Sequence, residues 1–181
     1  MLEEDAFVLV VDDDTDACNA LQQMISRLGI RVDSTSNPLQ VIDQLTGSYY
    51  NVILLDVNIP EKSGMDLLSE IVEVSPDTKI IIISGFGDKE SAIKALRLGA
   101  FDFLEKPFDY KLISHSIERA LQTQKVQLAY RDEKMKLHDV NRQLVETNKA
   151  LSTLAKNIER TRKDTEATVA AHGLTPVALK T

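Results

Sequence analysis

Residues 5–122 predict a doubly wound α/β fold, a five-stranded parallel sheet with helices on both faces. Three observations carry this. Three short runs are continuously apolar, as parallel strands are when both their faces are covered. Stretches with apolar residues at helical spacing alternate with those runs. Glycines fall where several of the helical stretches end.

The elements follow in chain order. Phe7-Val-Leu-Val-Val11 reads as the first strand, and Ala17, Leu21, Met24, Ile25 and Leu28 mark a helix that stops at Gly29. Arg31-Val-Asp-Ser-Thr35 is short and polar, as an edge strand should be. Leu39, Ile42 and Leu45 mark the second helix, with a stop at Gly47. Asn51-Val-Ile-Leu-Leu55 is the third strand, followed by Met65, Leu67, Leu68, Ile71 and Val72 on the third helix. Lys79-Ile-Ile-Ile-Ile83 is the fourth strand, and Ala92, Ile93, Ala95, Leu96 and Leu98 precede a stop at Gly99. Ala100-Phe-Asp-Phe-Leu104 is a weaker fifth strand, before Leu112, Ile113, Ile117, Ala120 and Leu121 on the fifth helix. Strand and helix alternating five times give the fold class.

Beyond this the character changes. From about 123 to 170 there is no glycine and no proline. Leu137, Leu144, Leu151, Ile158 and Thr165 recur every seven residues, with Asn141, Asn148, Ala155, Arg162 and Val169 four residues after them. This heptad seam predicts a two-stranded coiled coil, in which the polar positions fix register at some cost in stability. An earlier series, Leu121, Leu128 and Met135, is out of phase, so a stutter, bend or break is expected near 130–137. The expected organisation is a domain over 1–124, a helical coiled-coil extension over 125–172 and a disordered tail over 173–181.

Composition narrows the function classes. The 181 residues are 43% hydrophobic and 27% charged, which suits a globular chain. No apolar run approaches membrane-spanning length, and the acidic N-terminus lacks the features of a signal peptide. A cytoplasmic location is expected. Residues 1–125 carry 11 Lys+Arg against 21 Asp+Glu, and residues 126–181 carry 10 against 7. The acidic body repels phosphate, and the tail is too mixed in sign to form a basic patch, so direct nucleic-acid binding by this chain is not expected. Cys18, the only cysteine, reads as a small buried apolar residue.

In a doubly wound sheet, ligands bind at the carboxyl ends of the strands. Those ends carry Asp12-Asp13-Asp14, Asp56, Ser84-Gly85 and Glu105-Lys106-Pro107-Phe108. Asp14 alone suits a helix N-cap. Together the groups make a site. Converging carboxylates repel one another unless a cation intervenes, and a hard divalent cation with oxygen ligands, Mg²⁺, meets that need. A lysine and a hydroxyl can hold phosphate oxygens, and an ionised carboxylate can attack phosphorus.

Val8-Leu-Val-Val-Asp-Asp-Asp14, Ile53-Leu-Leu-Asp-Val-Asn-Ile-Pro60 with Ser63-Gly-Met-Asp66, Ile83-Ser-Gly-Phe86 and Asp102-Phe-Leu-Glu-Lys-Pro-Phe-Asp109 resemble response-regulator receiver domains of two-component systems. The resemblance covers about residues 5–122. It implies the flavodoxin-like strand order 2-1-3-4-5. It implies Asp56 as phosphoacceptor, Asp13 as direct Mg²⁺ ligand, Asp12 as ligand through water, and Asn58 as donor of a backbone carbonyl to the metal. Ser84 matches the switch hydroxyl, Phe103 the aromatic switch position, and Lys106 the family's lysine. The Lys106-Pro107 bond matches a cis peptide. Phe86, two residues after Ser84, would hinder attacking water, so slow self-dephosphorylation is expected.

The implied function is a response regulator that takes a phosphoryl group from a histidine kinase. The surface formed by the fourth helix, fifth strand and fifth helix then switches, together with the C-terminal helix. A homodimer through that helix or that surface is the implied assembly. Two variants of this reading stand beside it: a pseudo-receiver that works without phosphate, and the N-terminal part of a transcription regulator whose DNA-binding domain is absent from this chain. The second draws on Asn148–Ala155 with Ile158-Glu-Arg160, which is similar to linker helices before LuxR-type DNA-binding domains. A different class, the haloacid-dehalogenase-type phosphatases, fits poorly: Asp16 stands where their motif has a threonine or valine, and their later acidic pair is missing. The chain thus reads as a phosphoacceptor and not as a turnover enzyme.

Overall fold

The computed structural model describes residues 6–60, 62–85, 89–107 and 109–171. The expectations for Phe86 and for the tail from Gly173 lie outside these residues.

The elements run β1 (Phe7–Val11), α1 (Thr15–Ser26), β2 (Arg31–Thr35), a 3₁₀ turn (Pro38–Gln40), α2 (Val41–Gly47), β3 (Val52–Asp56), α3 (Gly64–Val74), β4 (Lys79–Ser84), α4 (Lys89–Arg97), β5 (Asp102–Glu105) and α5 (Tyr110–Ala171). All strand pairs are parallel, in the order β2-β1-β3-β4-β5. The order reverses between β1 and β3, which opens a crevice at their carboxyl ends.

Two-residue alternation explains the continuous apolar runs. Val8, Val10, Val52, Leu54, Ile81 and Ile83 face one side, where they pack with Cys18, Leu21 and Ile25 of α1 and Ile113, Ile117 and Leu121 of α5. Leu9, Val11, Ile53, Leu55, Ile80 and Ile82 face the other, against Val41 of α2, Leu67, Leu68 and Ile71 of α3 and Ala95 of α4. Both faces of the central strands are dry, which is why β1, β3 and β4 are apolar without alternation. Edge strand β2 alternates between exposed and half-covered residues until buried Thr35, as its polar sequence required.

Some boundaries differ from the sequence reading. Asn51 precedes β3, because its side chain accepts a hydrogen bond from the Phe7 amide at 2.9 Å while its own amide donates to Phe7 O at 2.8 Å. Ala100 is not in β5. Its amide donates back to Ala95 O at 3.0 Å, closing α4 around Gly99 at φ 105, the geometry of a Schellman exit. Leu39 lies in the 3₁₀ turn and is exposed, as are Ile93, Leu96 and Leu112. Ile93, Leu96 and Leu112 keep helical spacing, but among the described residues none covers that side of their helices.

A helical break near 130–137 is not found: α5 is helical without interruption from Tyr110 to Ala171. Its backbone N–H to C=O ladder can run on whatever the heptad phase, since no glycine or proline intervenes. The chain nevertheless divides into two compact units, one ending at Ala129 and one starting at Tyr130. The buried stripe of α5 ends at Gln124. Gln124 Nε2 donates to Asn51 O at 3.1 Å, Asp77 O at 2.7 Å and Tyr49 Oη at 2.9 Å, and its Oε1 accepts from Asn51 Nδ2 at 2.8 Å. One buried amide thereby fastens α5 to the loops that begin β3 and β4. Among the described residues, no helix is long and apolar enough to cross a membrane.

Candidate phosphoryl and metal site

Asp12 directly follows β1 and Asp56 ends β3, and both residues are buried, at 2% and 5% exposure. Asp13 comes next and is exposed. One carboxylate oxygen from each of Asp12, Asp13 and Asp56 lies within 4.8 Å of the others. The crevice therefore presents two buried acids and one open to solvent. Asp14 takes no part: it caps α1, accepting from the Asp16 amide at 2.8 Å and the Ala17 amide at 3.3 Å.

Lys106 bridges the buried pair. Its Nζ lies 2.7 Å from Asp12 Oδ2 and 3.1 Å from Asp56 Oδ1. The β4–β5 register delivers it there, because the Lys106 amide donates to Ser84 O at 2.7 Å. The Lys106-Pro107 peptide is cis, as the sequence implied. Asp56 Oδ2 accepts from the Asn58 amide at 2.9 Å, and Asp12 Oδ1 from the Asp14 amide at 3.0 Å. These bonds hold both carboxylates in fixed orientations.

The electrostatics are strained. Burial pushes the Asp56 carboxyl above its ordinary pKa, and nearby Asp12 adds to the rise, against the lowering pull of Lys106 and of the Asn58 amide. Burial also works against the Lys106 ammonium, but hydrogen bonds and charge from Asp12 and Asp56 outweigh it, so its pKa is raised. A single ammonium thus offsets only part of the negative charge gathered here. The donors are all carboxylate oxygens, which suits a hard cation such as Mg²⁺ and not a thiolate- or imidazole-seeking metal.

Ser84 closes β4, one residue beyond Ile83, the register partner of Asp56, and is buried. Phe103 on β5 pairs in register with Ile82 and packs, partly buried, on the cluster beneath α3 and α4. Asn58 is exposed, and its amide contacts Asp56.

Two contributors were not read from sequence. A β-carbon on Gly64 would stand 2.3 Å from Asp56 O and 2.8 Å from Val57 Cα, so only glycine lets α3 start this close beneath the acceptor. The Asn58 amide is the other, since sequence reasoning considered only its carbonyl. Ser63-Gly64 carried a signal in the motif, but a glycine after a serine reads equally well as an ordinary turn.

Residues 8–118 match the response regulator receiver domain family. The chain belongs to that family. Receiver domains bind Mg²⁺ at an acidic pocket of this kind, and they act with histidine kinases. The C4-dicarboxylate transport transcriptional regulatory protein DctD of Pseudomonas aeruginosa is 30% identical over 154 residues, 83% of this chain and 33% of DctD. That span is longer than the receiver match. The DNA-binding transcriptional regulator NtrC of Azospirillum brasilense is 37% identical over 116 residues, 64% of this chain and 24% of NtrC. Among solved structures, the beryllofluoride-activated NtrC4 receiver domain dimer matches with TM-score 0.63 and 32% identity, covering 65% of this chain and 98% of that receiver. The chain spans a third or less of the length of those two curated relatives.

Proposed function

We propose that this receiver takes a phosphoryl group on Asp56 from a phosphohistidine of a sensor kinase. An Asp56 oxygen forms the new O–P bond, and the donor P–N bond breaks, leaving its electron pair on the imidazole. The observation that carries this is the convergence of Asp12, Asp13, Asp56 and Lys106 on one crevice at the carboxyl end of the sheet.

Each residue has a part. Asp12, Asp13, Asp56 and the Asn58 carbonyl would hold Mg²⁺. When bound, the ion would supply positive charge to offset that of the phosphoryl oxygens. Asp56 is held in line by the Asn58 amide. Lys106 leaves its two carboxylate contacts far enough to take up a phosphoryl oxygen. The Ser84 hydroxyl turns to another, and Phe103 moves into the space beside it. Contacts that exist only in the phosphorylated form shift the population of α4, β5 and α5. The protein is an acceptor that holds its phosphoryl group, not a turnover enzyme.

The receiver, residues 1–124, is the input, and the helical extension, residues 125–172, carries the output. The transcriptional roles printed for DctD and NtrC belong to those proteins.

Beryllofluoride with Mg²⁺ tests the reading. Chemical-shift changes at Ser84, Phe103 and Lys106 are expected in wild type and not in Asp56→Ala. Wild-type spectra that ignore the mimic would instead favour the pseudo-receiver.

A further inference from the structure

The α5 segment from Leu137 to Thr161 carries an ordered apolar face on which no described residue packs. Leu137, Val140, Leu144, Leu151, Leu154 and Ile158 are 55% to 68% exposed. They alternate at spacings of three and four, the pattern of a packed seam. Leu137, Leu144, Leu151 and Ile158 form its first line; Val140, Thr147, Leu154 and Thr161 form the second. The second line is therefore three residues after the first, and Asn141, Asn148 and Ala155 move to its flank.

The flanks are the informative part. Residues beside the two lines are Asn141, Gln143, Asn148, Ala150, Ala155 and Asn157, all uncharged. The seven charged residues between Leu137 and Thr161 all fall on the three remaining heptad positions. Two of them, Asp139 and Arg142, pair with each other there at 3.1 Å. Two-stranded coils keep their flanks in water and commonly charge them. A face neutral across four heptad lines has more surface to bury than one partner helix covers.

The side-chain shapes agree. The first line is leucine at three of four layers, and the second is Val, Thr, Leu, Thr. In a two-stranded parallel coil, β-branched residues are preferred on the first line and leucine on the second. Leucine on the first line with β-branched residues on the second shifts the preference to higher-order bundles. Between Leu137 and Thr161 the flanks carry no charge code to select a different chain and no like charges that oppose self-pairing; the flank lines become charged only at Lys136 and Arg162, just outside the segment.

We propose that residues 137–161 assemble four copies of this chain into a four-helix bundle. This replaces the two-stranded pairing that heptad spacing alone suggested, and it does not depend on the phosphoryl reading.

Sedimentation equilibrium of the full chain is the test. The expected particle has four times the 20.2 kDa chain mass; a stable mass of one or two copies overturns the proposal. Ala150→Lys with Ala155→Lys places charge on the flanks. Lysine is a good helix former, so helical circular dichroism and receiver melting should persist while the four-copy species is lost. An unchanged mass would place the assembly elsewhere and overturn the seam. Lys149→Ala with Lys156→Ala, on the outer face, should remain four-copy, and loss of assembly there would equally contradict the placement.

Discussion

A β-carbon on Gly64 would stand 2.3 Å from the backbone oxygen of Asp56. The first turn of α3 is thus packed directly under the proposed acceptor. The Gly64 amide donates to Val57 O at 3.2 Å, so α3 cannot retreat without breaking that bond. Gly64→Ala is expected to destabilise the domain by about 1–3 kcal/mol, as overpacking does. It should also slow phosphorylation by displacing Asp56. Chemical denaturation and single-turnover labelling read the two effects.

Asp13 and Asp12 differ in burial, and that difference separates metal binding from folding. Asp13 is exposed. Asp13→Asn should leave metal-free stability within about 0.5 kcal/mol of wild type. It should nevertheless weaken Mg²⁺ binding about tenfold or more, because few carboxylates hold such an ion. Titration calorimetry with MgCl₂ and thermal melts in EDTA give both numbers.

The raised pKa of Asp56 makes a pH prediction. A folded-state value above the unfolded one means the folded protein holds its proton more tightly. The associated stability is fully present below the unfolded value, about pH 4, and is lost as pH rises through the raised folded value. Asp56→Asn escapes that loss. In EDTA it should melt above wild type at neutral pH, and the two curves should converge in acid. Mg²⁺ should then raise the melting temperature of wild type more than that of Asp56→Asn.

Gln124 is 2% exposed and makes four hydrogen bonds across three segments. Gln124→Ala takes the acceptor from the Asn51 side-chain amide and a donor from Asp77 O, while Asn51 O keeps the Lys79 amide at 2.9 Å, at a cost of about 1–3 kcal/mol. An alanine at exposed Gln127, three residues on, should cost far less. Urea melts of the two variants compare them directly.

Much of this was legible in the sequence, for a physical reason. Strands dry on both faces leave uninterrupted runs such as Lys79–Ile83, and a crevice chemistry leaves its groups at strand ends, as Asp12, Asp56 and Lys106 are. Gly64 was harder, because its role is a distance to a backbone atom and not a chemical property. Gln124 was harder still: a glutamine within a helix reads as solvated until the loops of Asn51 and Asp77 close over it. Leu39, Ile93, Leu96 and Leu112 were read as helix-face residues, and periodicity could not say that their side is uncovered.

The most direct test of the central claim is mass spectrometry of the intact chain after incubation with acetyl phosphate and Mg²⁺. Wild type should gain one phosphoryl group, labile to hydroxylamine as an acyl phosphate is, and Asp56→Asn should gain none. A wild type that gains nothing, or an Asp56→Asn protein that gains the same group, would contradict it.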